Sequence, residues 1–112
     1  MAGKFEITKN AGGKFHFSLK AANGERILSG ETYESKAKAQ NGAESVKRNA
    51  ADDNRFERKT SASGESYFVL KSTNGEVVGT SETYSSAAAL ENGIAAVKNN
   101  APNAEIIDST GA

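Results

Sequence analysis

The 112-residue sequence has no cysteine and no tryptophan, and only one proline, one histidine and one methionine. Without cysteine, a disulfide scaffold and a thiolate metal site are both excluded, since Met1 is the only sulfur in the chain. Long apolar runs are missing too. A stretch such as Ala87-Ala88-Ala89-Leu90 is far shorter than the roughly 20 apolar residues of a membrane-spanning helix. Met1-Ala2-Gly3-Lys4-Phe5-Glu6 lacks the apolar core of a signal peptide, so a cytoplasmic setting with no membrane association is expected. Net charge is also absent, because 14 Lys and Arg balance 14 Asp and Glu. That balance disfavours a whole-chain polyanion binder. A chain of this length suits one compact domain.

What is present is a repeat. Shifted by 51 residues, the chain matches itself without a gap, and about 21 positions are identical. Phe5-Glu6 falls on Phe56-Glu57, and Phe17-x-Leu19-Lys20 on Phe68-x-Leu70-Lys71. Asn23-Gly24-Glu25 falls on Asn74-Gly75-Glu76, and Glu31-Thr32-Tyr33-x-Ser35 on Glu82-Thr83-Tyr84-x-Ser86. Asn41-Gly42 falls on Asn92-Gly93, and Val46-Lys47-x-Asn49-Ala50 on Val97-Lys98-x-Asn100-Ala101. Two copies are too few for a solenoid and suit a single pseudo-twofold domain over residues 1–112. Repeat one covers about 3–54 and repeat two about 55–109.

Each copy reads alike. Phe5-Glu6-Ile7 and Phe15 to Lys20 alternate apolar and polar residues, the period of half-buried strands. Asn23-Gly24 and Asn74-Gly75 predict tight type I′ hairpin turns with positive φ at both residues, returning along 25–29 and 76–80. Ser35 and Ser86 stand where helix N-caps are needed. The apolar stripes Ala39, Ala43, Val46, Ala50 and Leu90, Ile94, Val97, Ala101 have helical spacing. Arg55 to Lys59 can both close the first repeat and open the second, and Glu105 to Asp108 ends the chain as a strand. About seven strands and two helices follow. The expected fold is α+β and two-layered, with both helices on one face.

The pattern Phe17-x-Leu19-Lys20-Ala21-Ala22-Asn23-Gly24-Glu25, then Tyr33-x-Ser35-Lys36, Asn41-Gly42 and Val46-Lys47-x-Asn49-Ala50 resembles the YegP family. These are small bacterial proteins whose function is not established. The resemblance covers nearly the whole chain, in both halves. It implies tandem β-β-β-α-β repeats sharing one mainly antiparallel sheet, with terminal strands exchanged between the repeats, and a monomer built as an internal pseudo-dimer. It supplies no catalytic residue.

The residues themselves suggest no reaction. His16 lies on a strand, its repeat partner is Tyr67, and no carboxylates at ligand spacing accompany it. Gly12-Gly13-Lys14 lacks the spacing and the Ser or Thr of a phosphate loop. Glu31 and Glu34 read as solvated. Catalytic residues, metal and cofactor are therefore all expected to be none, and the chain reads as a non-catalytic binding or protein-interaction module.

Two surfaces are candidates. One is the sheet face that the helices leave open, carrying His16, Lys20, Tyr67, Val69 and Lys71. The other is the basic first repeat, where Lys36, Lys38, Lys47 and Arg48 could hold nucleic acid or another anion. The charge distribution favours the second more than the neutral total suggests. Residues 1–51 hold 9 Lys and Arg against 5 Asp and Glu, and residues 52–112 reverse those counts. Asn41-Gly42 and Asn92-Gly93 break helix propensity at matching places, which points to close packing or to a ligand. Tyr33 and Tyr84 are expected to staple the helix starts to the core.

Overall fold

The computed structural model describes residues 3–110. The first half comprises β1 (Lys4–Lys9), β2 (Phe15–Lys20), β3 (Arg26–Tyr33) and α1 (Lys36–Asn49). The second comprises β4 (Phe56–Thr60), β5 (Ser66–Lys71), β6 (Val77–Thr80), α2 (Ala87–Asn100) and β7 (Glu105–Asp108). Short 3-10 turns at Asp53–Arg55 and Ala101–Asn103 lead from each helix into the next strand.

Alternation and capping produce these elements. Phe5, Ile7, Phe17 and Leu19 are fully buried, while their strand neighbours face the other way. The Ser35 hydroxyl accepts from the Lys38 amide, and that of Ser86 from the Ala89 amide, each at 3.1 Å. Both helical stripes enter the core: Ala39, Ala43, Val46 and Ala50 from α1, with Leu90, Ile94, Val97 and Ala101 from α2.

The hairpins differ from expectation. Among the described residues, none other than glycine has positive φ, so the Asn-Gly turns are not type I′. Gly24 donates to the Ala21 carbonyl and Ala21 to the Glu25 carbonyl, which leaves Gly24 alone at φ 88°. This is a three-residue loop with glycine in the left-handed position. The Asn23 carboxamide accepts from the Glu25 amide at 3.0 Å, tying Asn23 into the loop by its side chain. The same loop recurs at Asn74-Gly75, and its backbone bonds recur at Gly13 and Gly64.

One seven-stranded sheet results, in the order β4-β5-β6-β3-β2-β1-β7. All its neighbours are antiparallel except β1 and β7. The strand that follows each helix joins the opposite half: β4 leaves α1 and pairs with β5, and β7 leaves α2 and pairs with β1. The halves meet where Ser29 of β3 pairs with Thr80 of β6. Beneath α1, Phe5 meets Phe17 edge-on and Phe17 stacks on Tyr33. Phe56, Phe68 and Tyr84 repeat this trio beneath α2. A Cβ at Gly42 would overlap the Tyr33 hydroxyl and stand 2.9 Å from a Phe17 ring carbon. A Cβ at Gly93 would overlap the Tyr84 hydroxyl. Each helix backbone thus lies directly on a tyrosine.

Candidate functional site

The strand alternation that sends Phe17, Leu19, Phe68 and Leu70 to the core sends His16, Lys20, Tyr67, Val69 and Lys71 to the open face. One line of paired residues crosses that face through all seven strands. It runs Glu57, Val69, Thr80, Ser29, Ser18, Glu6 and Ile107. Its middle is low and its flanks carry charge. Ser18 is 9% exposed and Val69 is 5% exposed. Lys20 binds Glu6 at 2.7 Å and Lys71 binds Glu57 at 2.9 Å, and each lysine holds its carboxylate below the usual range. Burial, aided by the Arg26 charge, lowers the proton affinity of His16. The lysines of this face are therefore already matched within the chain.

The helix cations do not form one patch. Lys36 reaches Asp108 at the start of α1 and holds that carboxylate well below its usual range. Lys38, Lys47 and Arg48 make no ion pair among the described residues. Lys38, Asn41, Ser45 and Arg48 fall at i, i+3, i+7 and i+10, so they form one flank of α1. That flank faces the β5–β6 hairpin of the other repeat across a cleft. The wider part, of about 600 Å³, is lined by Glu31, Tyr33, Lys38, Asn41, Ser72 and Glu76, among others. It continues into a recess of about 420 Å³ around Ser45, Arg48, Ser72 and Thr73.

The duplicated residues converge on this cleft. Burial first, then the Glu31 and Glu76 charges, raise the proton affinity of Tyr33. At the matching place in the other half, burial and the charges of Glu82 and Glu25 do the same to Tyr84. Each tyrosine therefore has two glutamates near it, one from either repeat. Glu31, Asn41 and their copies Glu82 and Asn92 are exposed. The copies share the pattern but not the whole lining. Positions Lys38, Ser45, Arg48, Ser72 and Thr73 correspond to Ala89, Ala96, Asn99, Ala21 and Ala22.

Sequence reasoning missed Ser45, Ser72, Thr73 and Glu76, because two different repeats supply the two walls. A signal was available in Glu25, Glu76, Glu31 and Glu82, which are polar identities between copies outside any core pattern. Asn41-Gly42 and Tyr33 were noticed singly, and the fold brings them together. No helix among the described residues is long and apolar enough to cross a membrane.

A family described as "Domain of unknown function (DUF1508)" matches the chain twice, over residues 10–57 and 61–108, the same 51-residue offset as the internal repeat. A UPF0339 protein encoded in the ptx operon 5' region of Stutzerimonas stutzeri is 49% identical over 108 residues, covering 96% of this chain and 97% of that protein. The UPF0339 protein YegP of Escherichia coli (strain K12) is 44% identical over 110 residues, covering 98% and 100%. Among solved structures, the solution NMR structure of Escherichia coli yegP superposes with a TM-score of 0.93 at 44% identity, covering 100% of this chain and 97% of that one. A UPF0339 protein from Shewanella oneidensis gives 0.91 at 42% identity, covering 98% and 93%.

Proposed function

Because the chain belongs to the DUF1508 family and carries two copies of that domain, we propose that it is a non-catalytic binding module whose ligand or partner enters the cleft between α1 and the β5–β6 hairpin. One observation carries this reading. Glu31 and Asn41, together with Glu82 and Asn92, are identical between the copies and exposed, and they make no side-chain hydrogen bond or ion pair among the described residues. An exposed side chain without a partner contributes little to stability, so changing it is cheap. Its retention in both copies, beside a duplicated tyrosine, supports contact with something outside the chain.

The open sheet face is the competing location, and amide shift mapping separates the two. ¹⁵N-labelled protein is titrated with clarified bacterial cell extract. Shifts centred on Asn41, Ser45, Ser72 and Glu76, and lost in Asn41→Ala, support the cleft. Shifts centred on His16, Ser18 and Val69 would move the site to the sheet, and an unchanged spectrum would remove the cleft reading.

A further inference from the structure

Resting on that reading of the cleft, we propose that its narrow end, at Arg48, binds an anionic group with several acceptor oxygens, a carboxylate or a phosphate. The recess around Ser45, Arg48, Ser72 and Thr73 contains one cation and is lined by no carboxylate. Glu31 and Glu76 line the wider part, and the Glu76 carboxylate reaches the recess only at Asn74, which favours the Arg48 end for an anion.

The hydrogen-bond inventory gives the same sign. The Asn49 carboxamide nitrogen donates to the Ser45 carbonyl at 2.8 Å and to the Ser45 hydroxyl oxygen at 3.2 Å. The Asn74 carboxamide oxygen accepts from the Glu76 amide at 3.1 Å and from the Ser72 hydroxyl. The Asn74 carboxamide is thereby occupied from within at both ends, since its nitrogen donates to the Glu76 carboxylate at 3.1 Å. What remains is chiefly donors: the Arg48 guanidinium, the Ser45 O–H and the Thr73 O–H. A guanidinium flanked by two hydroxyl donors complements an oxyanion, which it can grip with two parallel bonds.

The duplication supplies an internal control. The other half builds the same hairpin and helix with Ala96, Asn99, Ala21 and Ala22 at these four positions. The fold therefore does not need Ser45, Arg48 and Thr73, and their donors are free to serve a ligand.

The test is a ¹⁵N amide titration of the full chain with sodium phosphate and, separately, with sodium acetate. Ionic strength is held constant with sodium chloride. The proposal expects saturable shifts confined to Ser45, Arg48, Thr73 and Asn74. Arg48→Gln should weaken the apparent affinity about tenfold or more, while Arg26→Gln, at an exposed arginine outside the cleft, should leave it unchanged. The stronger of the two salts identifies the source of the oxyanion. Shifts that stay linear and spread over the lysines overturn the proposal, as does equal binding by Arg48→Gln. If both salts fail but cell extract still shifts Asn41 and Ser72, the anion assignment falls and the cleft reading stands.

Discussion

The two ends of the sheet are copies of one another and are finished differently. On β1, Ile7 is fully buried, and β7 lies along the outer edge with the Ser109 amide donating to the Ile7 carbonyl at 2.8 Å. On β4, the matching residue is Arg58, and β4 is the last strand of the sheet. Arg58 is exposed and grips Glu91 of α2 through two bonds of 2.6 and 2.8 Å, and that grip raises its proton affinity. A buried isoleucine contributes about 1.5–3 kcal/mol, whereas an exposed ion pair contributes about 0–1 kcal/mol. The apolar edge therefore needs a covering strand, and the charged edge can remain in water, where Glu57, Arg58 and Lys59 discourage pairing with another chain. A duplicated sheet has two edges to protect, and this one uses burial at one and charge at the other.

Removing residues 105–112 should break this contrast most severely. It uncovers β1 and takes away Ile106 and Ile107, both partly buried, so a loss of about 3–5 kcal/mol in urea unfolding is expected. An unchanged midpoint would mean that β7 does not complete the first half. Next come the helical glycines. A methyl group at Gly42 has both Tyr33 and Phe17 among its nearest neighbours, and the nearest atoms to one at Gly93 all belong to Tyr84. Overpacking costs about 1–3 kcal/mol, offset by about 1 kcal/mol of gained helix propensity. Gly42→Ala should therefore lower the melting temperature more than Gly93→Ala does, and a rise in either would refute close packing at that helix. Third, Glu91→Gln should cost under about 1 kcal/mol. Arg58→Ile should instead produce a folded protein whose sedimenting mass rises with concentration. If it stays monomeric, charge is not what guards β4.

The smallest effect is a pH dependence at His16, where the second half has Tyr67. Proton affinity in the folded state lies below the ordinary value of 6.5, so the unfolded chain binds more protons in that region. The contribution is present in full above about pH 6.5 and lost as the pH falls. His16→Gln should flatten the slope of stability between pH 7.5 and 5.5, and an unaltered slope would assign it elsewhere.

The sequence exposed what depends on local period. The helical stripes, the serine caps and the alternation on β2 and β5 all follow from spacing within a few residues. The hairpins were harder. Asn-Gly fits two turn types, and the choice lay in bonds such as the one from the Glu25 amide to Asn23, which no dipeptide displays. The cleft was least visible, because Ser45 and Ser72 meet only after the sheet has brought one repeat against the other. The unequal edges were readable in principle, since Ile7 and Arg58 occupy one place in the repeat. Their meaning depends on knowing which strand has a neighbour.

The end of α2 returns to the start of β1, where the Gly3 amide donates to the Asn100 carboxamide oxygen at 2.9 Å. The same two repeat positions in the first half are Asn54 and Asn49, joined through only residues 50–53. A linker of that length from Asn100 back to Gly3 would close the chain into a ring with both hairpin-helix units in place. A circular permutant opened between α1 and β4 should thread the same sheet in a different chain order, with β7 as the one strand that must be supplied anew.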